Sequence, residues 1–494
     1  MTQKRKGLYI VGFICIFVLF FGILNYLLPT KRKPEITIDH YHKEYRGLYE
    51  LDKDTVDVLI FGASHAFSSF SPEDLYEDYG ITAYVQSSSC QRIWQSYYYL
   101  EEALKYQKPQ YVILEPFWSF DATAQSEAYN REAIDPMRMS MTKIRAIHTA
   151  VSKNPEGEYG LSYIFPLLRY HDRWQELEQG DFEEFALPGN YSAKGFLPRL
   201  GIQPAQFNEE AYLGTEAVPM DESCLEYLDK MRMLCEENDI QFLIMSVPTC
   251  MLWDSGKAIF LTEYANEHGV TYLDYNYDEK LREQANIDWE TDSLDGGNHL
   301  NYTGAMKMTN ILGEYLTAHG NFEDKRLDSS YDNWQQDYVY YKQCVNNYQL
   351  QNAGDFKEFT GYLNDQYQLV ATCSGIDPGG LNYDTNLALK EAGVPVNIFT
   401  EENRECNLLI IDGNGMLQTE YYDKINLELE LSFLGQPLYV SENFDNALVA
   451  KLYYDAQTYD VGAGINLMVF DRETKTLVGN FCFVADSDGN LVKK

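Results

Sequence analysis

The chain is short of positive charge. Its 494 residues carry 39 Lys and Arg against 75 Asp and Glu, a formal net charge of −36 at pH 7. Six of the basic residues fall within the first 33, so the rest of the chain holds 33 against 75, a net of −42. A field of that sign repels polyanions, so nucleic acid and anionic lipid surfaces are poor partners. It suits a chain kept soluble outside a cell. Histidine is scarce, at eight residues, and cysteine numbers nine. The cysteines show no CxxC and no Cys/His metal spacing, so zinc modules and dithiol chemistry have no basis here. Cys15 lies in an apolar run. Cys90, Cys224, Cys235, Cys250, Cys344, Cys373, Cys406 and Cys482 are open to two readings, buried thiols or disulfides, and their spacing names no pairs. Asp486-Ser487-Asp488-Gly489-Asn490 alternates oxygen ligands but lacks the distal Glu of a calcium loop, and reads as a hairpin turn. No metal and no cofactor is expected. Tyrosine, by contrast, is abundant at 40 residues, and exposed tyrosines can stack on sugar rings.

Val58-Leu59-Ile60-Phe61-Gly62-Ala63-Ser64-His65 is the most informative stretch. Four apolar residues stop at a Gly-x-Ser-His turn, which reads as a buried strand ending at an exposed hydroxyl. α/β sheets place nucleophiles at that point. A serine hydroxyl needs a base within hydrogen-bond reach, and the base needs a group that fixes its tautomer. Asp292-Ser293-Leu294-Asp295-Gly296-Gly297-Asn298-His299-Leu300-Asn301 can supply both from one loop. His299 alone among the histidines has an acidic neighbour together with an Asn-x-x-Gly-Ala context, Asn301 to Ala305.

The chain order Ser64, Asp295, His299 resembles the SGNH/GDSL hydrolase superfamily, which carries its Ser after the first strand and its Asp and His on a late loop. The resemblance covers roughly residues 52–320. It is strongest to the membrane-anchored branch that acylates cell-surface polymers, including the D-alanyl transfer proteins of teichoic acid modification and the alginate acetylation proteins. Phe61 to His65 followed by Ser71-Pro72-Glu73-Asp74-Leu75 resembles its first block. His299-Leu300-Asn301-Tyr302-Thr303-Gly304-Ala305 resembles its last. Tyr84-Val85-Gln86-Ser87-Ser88-Ser89-Cys90-Gln91 resembles the segment that presents the second oxyanion-hole amide. Three departures stand out. Asp295 is four residues before His299, where the family usually has three, so Asp292 stays open as the orienting acid. Cys90 replaces the expected glycine, keeping a backbone N–H but hindering φ above zero. Val85 occupies the place of the usual Asn, and strand three ends in Glu115-Pro116 with no third-block Asn.

The resemblance implies a serine acyl-transfer enzyme. Ser64 would be the nucleophile, His299 the base, Asp295 or Asp292 the orienting acid, and the Ser64 and Cys90 amides the oxyanion donors. His65 would shape the site, since adjacent residues on a strand-to-helix turn diverge. The acyl group, an O-acetyl group in this reading, would pass to a cell-surface polysaccharide from a membrane-bound O-acyltransferase partner. A surface carbohydrate esterase with the same residues is the alternative. So is a non-catalytic polysaccharide-binding or assembly protein, because the shifted Asp and missing glycine are what a pseudoenzyme would show.

The fold expected is α/β: a three-layer domain with a parallel sheet, an N-terminal transmembrane helix and a C-terminal, mostly β accessory domain. Residues 1–33 read as an uncleaved signal anchor, with an apolar run from Leu8 to Leu28 long enough to span a bilayer. Lys4, Arg5 and Lys6 precede it and Lys31, Arg32 and Lys33 follow, so charge gives little orientation. The branch resemblance implies a single-pass protein of the cell membrane with its bulk outside. Residues 34–53 read as a tether and 54–320 as the α/β domain. Its strands are expected at 57–61, 82–86, 111–114, 242–247 and 271–273. Residues 117–220 read as an aromatic-rich insertion, a lid or acceptor-binding region or simple packing. Residues 321–355 read as a connector with helical potential. Residues 356–494 read as β-rich, with strands at 368–372, 408–411, 425–433, 438–440, 466–470 and 477–484. Gly462 to Asp471 with the hairpin after it resembles the interleukin-like EMT inducer domain, which implies a carbohydrate- or partner-binding module.

Overall fold

The computed structural model describes residues 3–27, 47–49, 51–157, 159–177, 193–206, 213–214, 216–251, 253–395, 406–423, 426–443, 449–454, 457–461 and 463–494. The chain divides into two compact units, residues 1–342 and 343–494. In the first, helix α1 (Gln3–Leu27) holds the apolar run. Among the described residues no helix is long and apolar enough to cross a membrane. The side chains described in α1 cover 9–24 only, and most of them are exposed. Most of the expected tether, 34–46 and 50, lies outside the described residues, as do Lys31, Arg32 and Lys33.

The α/β region follows in strand–helix alternation: β1 (Val58–Gly62), α2 (Ser64–Phe67), α3 (Pro72–Tyr79), β2 (Ala83–Ser87), α4 (Ile93–Ala103) and β3 (Tyr111–Leu114). After β3 come α5 (Glu127–Ile134), α6 (Met141–Lys153), α7 (Gly160–Ile164) and α8 (Leu167–Tyr170). The sheet then resumes with α9 (Glu222–Glu237), β4 (Gln241–Ser246), α10 (Ser255–His268), β5 (Thr271–Asp274), α11 (Glu279–Ala285) and α12 (Tyr302–His319). The five strands are parallel in the order β2-β1-β3-β4-β5. Alternate residues serve opposite faces, as the two-residue period of a strand requires. Leu59, Phe61, Tyr84, Val112, Leu114 and Ile244 pack with α4 and α9 through Ile93, Leu100, Leu228 and Met231. Val58, Ile60, Val85, Ile113, Leu243 and Met245 pack with α3 and α12 through Leu75, Met308, Ile311 and Leu312. β1 and β3 are buried on both faces, so they read as continuous apolar runs.

The β2 edge is covered by residues 193–197. Val85 N–H donates to the Lys194 carbonyl at 2.8 Å. Lys194 is itself buried. Its ammonium bonds Asp337, lies 3.4 Å from Glu73 and sits 4.7 Å from the Trp334 ring centre. Covering an edge in this way removes a template for unwanted pairing.

The second unit is antiparallel. Its strands are β6 (Tyr367–Ser374), β7 (Cys406–Asp412), β8 (Leu417–Asp423), β9 (Asn426–Phe433), β10 (Gln436–Asn443), β11 (Val449–Tyr454), β12 (Gln457–Val461), β13 (Gly464–Asp471), β14 (Leu477–Ala485) and β15 (Leu491–Lys493). They form two sheets, β15-β14-β13-β6-β7-β8 and β12-β11-β10-β9. Val370, Leu408, Leu427, Phe433, Leu438, Met468 and Phe470 form one core. Leu369, Ala371, Leu409, Leu467 and Leu389 form another. Asp486 to Asn490 is the turn joining β14 to β15, closed by Asp486 N–H to the Asn490 carbonyl at 2.9 Å. No disulfide forms among the described cysteines.

Gly195 has φ +87, and a Cβ there would lie 1.8 Å from the Val85 carbonyl oxygen. Gly195→Ala is therefore expected to lower unfolding free energy by about 1–3 kcal/mol in urea titration.

Candidate active site

Ser64 opens α2 directly after the β1 strand and Ala63. The turn is tight: a Cβ on Gly62 would come within 2.8 Å of the Glu115 Cβ and 2.9 Å of the Ala66 Cβ. That close approach needs glycine and lifts the Ser64 hydroxyl beyond the strand end.

The late loop closes on itself. Ser293 and Leu300 form an antiparallel bridge. Gly297 N–H donates to Ser293 Oγ at 2.7 Å, and Gly296 and Gly297 have φ +72 and +92. This double reversal lets residues four apart meet. Asp295 Oδ1 accepts from His299 N–H at 2.7 Å, and its Oδ2 accepts from His299 Nδ1 at 2.8 Å. With the proton on Nδ1, Nε2 is the free acceptor, and Ser64 Oγ lies 2.8 Å from it. Asn301 then caps α12 by accepting from Thr303 and Gly304 N–H at 3.1 and 3.2 Å. The chain Ser64–His299–Asp295 thus assembles from residues the sequence offered. Asp292 is elsewhere. It is fully buried, 2.6 Å from Lys307 Nζ, and accepts from Asp288 N–H at 2.8 Å. It braces the loop instead of touching the imidazole.

Burial alone would raise the Asp295 carboxyl, but the hydrogen bonds and charge of His299, with the Asn298 amide, outweigh it and hold it at about 2. Asp295 is ionised at any pH above that value. It can stabilise an imidazolium.

The oxyanion candidates are placed as follows. The Ser64 and Cys90 N–H groups have no acceptor among the described residues. Cys90 adopts φ +53. The residue occupies the left-handed region that its Cβ hinders, and neighbours hold it there. Gln125 Nε2 donates to the Cys90 carbonyl at 2.5 Å, and Glu132 accepts from Ser89 N–H and Oγ at 3.1 and 2.9 Å. Gln125 and Glu132 belong to the insertion, so part of that segment props this loop. Another part, 199–205, is bonded to the late loop. Tyr302 N–H donates to the Arg199 carbonyl, Gln203 N–H to that of Ser293, and Gly296 N–H to that of Gln203, at 2.6, 2.9 and 3.3 Å. The stretch is fastened to the site rather than lying free over it.

Two further positions beside the site gave no sequence signal. Glu115, at the end of β3, is buried and accepts from Phe117 N–H at 3.0 Å and from Ala63 N–H. Burial pushes its carboxyl up to about 8 despite those bonds. Below that pH a neutral acid sits under the serine turn. Thr249, after β4, lies 3.1 Å from both the Gly297 and Asn298 carbonyls. Only the sheet order brings either residue here.

A scan against protein-family models finds no match, and a search of curated proteins finds none either. Among solved structures the chain is similar to a protein described as an acylhydrolase from Bacteroides fragilis, at 11% identity and TM-score 0.26, covering 57% of this chain and 97% of that one. It is also similar to a GDSL-like lipase from Bacteroides thetaiotaomicron, at 11% identity and TM-score 0.27, covering 57% and 98%. Both similarities are low, and the reading of the site rests on its own geometry.

Asp295→Ala is expected to slow reaction at Ser64 by about 10³–10⁴-fold with little change in melting temperature. Asp292→Ala is expected to do the reverse, costing about 1–3 kcal/mol by removing the acceptor of the Asp288 N–H and the ion pair with Lys307. Glu115 also makes stability depend on pH. Its folded value, about 8, exceeds the ordinary 4.5, so the folded state holds the extra proton between them. That stability is complete below the lower value and is lost as pH rises through the upper one. Glu73, also raised to about 8, contributes in the same window. Glu115→Gln is expected to flatten part of the fall in melting temperature between pH 5 and 9, read by calorimetry.

Proposed function

We propose that this chain is a serine acyl-transfer enzyme of the SGNH/GDSL hydrolase type. The observation that carries the reading is the unbroken bond chain from Ser64 Oγ through His299 to Asp295, at 2.8 Å in each step. Ser64 Oγ attacks an ester carbonyl and its proton passes to His299 Nε2. The tetrahedral oxyanion is met by the Ser64 and Cys90 amides, donors of a kind worth roughly 2.7–4 kcal/mol each. The carbon–oxygen bond to the leaving group breaks as His299 returns the proton to it. In the second half an acceptor hydroxyl gives its proton to His299 and takes the acyl group, and Ser64 is released.

The acceptor in this reading is a hydroxyl of a cell-surface polysaccharide and the group transferred is acetyl, delivered by a membrane-bound O-acyltransferase partner. The apolar α1 run would anchor the protein in the cell membrane, with its bulk outside. The acidic surface and the resemblance to the polymer-acylating branch support this. The C-terminal unit would serve as a carbohydrate- or partner-binding module, in line with its resemblance to the interleukin-like EMT inducer domain. No metal or cofactor has a part in the mechanism.

The test is the acyl-ester content of the surface polymer in cells carrying wild type or Ser64→Ala at equal protein level. The expected result is lower content in the mutant. Higher content would make the protein an esterase using water as acceptor, and unchanged content would favour a binding or assembly role.

A further inference from the structure

His65 follows the proposed nucleophile and bonds a different partner, the late loop. Its ring is 2% exposed, stacks on Phe117 at 3.8 Å between centres and lies 4.6 Å from the His299 ring. Nε2 is 2.8 Å from the Asn298 carbonyl oxygen. A carbonyl only accepts, so the proton is on Nε2 and the imidazole donates. Nδ1 is buried with no partner among the described residues. Burial, together with repulsion from His299 when that ring is protonated, holds the ring well below the usual histidine range. Thr249 Oγ1 lies 3.1 Å from the same carbonyl and 3.1 Å from that of Gly297, and its one proton is shared between them.

We infer that His65 is a positioning residue: with Thr249 it clamps the Asn298 carbonyl, and so fixes the peptide that leads into His299. The inference deepens the acyl-transfer reading of Ser64, His299 and Asp295 and rests on it.

The geometry explains why a histidine is suited to this place. The clamp starts on the serine turn itself, so one residue ties the nucleophile's backbone to the base's backbone. Any drift of the late loop would lengthen the Ser64–His299 bond, and the clamp opposes that drift at the residue before the base. A cation here would repel the imidazolium that forms on His299; a buried neutral donor does not. Phe117, which stacks on the ring, is itself held by Glu115 through its N–H. The ends of β1, β3 and β4 therefore converge on one carbonyl of the late loop.

The clamp requires one N–H at the Nε2 position and nothing from Nδ1. Glutamine places its amide nitrogen at nearly the same distance from the backbone and can donate there. Phenylalanine fills the volume and cannot. The experiment is the rate at which a fluorophosphonate labels Ser64 in the full chain, compared among wild type, Ser64→Ala, His65→Gln, His65→Phe and Thr249→Val, with melting temperatures alongside. Phe is expected to label about 100-fold slower, as for a misplaced catalytic group, while keeping its fold. Gln is expected to stay within about 3-fold of wild type, and Thr249→Val to fall between. A Phe variant as fast as wild type overturns the clamp while leaving Ser64 reactivity intact. So does a Gln variant as slow as Phe, because the imidazole itself would then be required. If Phe does not fold, the Gln and Val variants decide: a slow Gln or a wild-type rate for Val overturns the clamp. A wild type that does not label overturns the clamp and the acyl-transfer reading together.

Discussion

A single 2.8 Å contact joins Ser64 to His299 across 235 residues of chain. The rest of the site is arranged around keeping that distance. A hydrogen bond between hydroxyl and imidazole weakens steeply with stretch and misalignment. Two loops, one after β1 and one before α12, must therefore hold register to a few tenths of an ångström. The sheet makes this feasible. β1 is flanked by β2 and β3, so the serine turn grows from a strand buried on both sides. The late loop is pinned by backbone bonds to three separate places: Cys250 N–H to the Gly297 carbonyl at 2.7 Å, Gln203 N–H to Ser293, and Tyr302 N–H to Arg199. Gly297 cannot be replaced lightly, because a Cβ there would meet the Cys250 side chain at 2.6 Å.

Charge around the contact is sorted by environment. Asp295 is the ionised group, set beside the base that needs a counter-charge. Glu115 and His65 lie deeper, and burial favours the neutral form of each. Asp292 carries its own partner in Lys307. An uncompensated charge in this volume would act strongly on His299 because the surroundings are poorly polarisable. Of the four groups, Asp295 alone is bonded to the imidazole.

Much of this was legible in the sequence because buried strands leave a plain signal. Tyr111–Leu114 falls on the expected residues, and Val58–Gly62 and Ala83–Ser87 begin one residue late. Their apolar runs are continuous because both faces are covered. Other elements left less trace. Helix α11 is short and polar. Strand β8 is mostly exposed on an outer edge of its sheet, so no alternation marks it. Within the site, Ser64 and His299 stood out through their neighbours in sequence. The choice between Asp295 and Asp292 did not, because it depends on the positive φ angles of Gly296 and Gly297, which spacing cannot specify. The left-handed backbone at Cys90 could not be foreseen, since Gln125 and Glu132, residues without a motif, bond this loop. Glu115 and Thr249 come to the site through strand order, and a local pattern carries no information about that.

The central claim is that Asp295 fixes the His299 proton on Nδ1 and so turns Nε2 toward Ser64. The most direct measurement is proton NMR of the downfield imidazole region, in wild type, Asp295→Ala and Asp292→Ala. A downfield Nδ1–H resonance present in wild type, kept in Asp292→Ala and lost in Asp295→Ala is the expected result. A resonance that survives Asp295→Ala, or that disappears with Asp292→Ala in a folded protein, would contradict it.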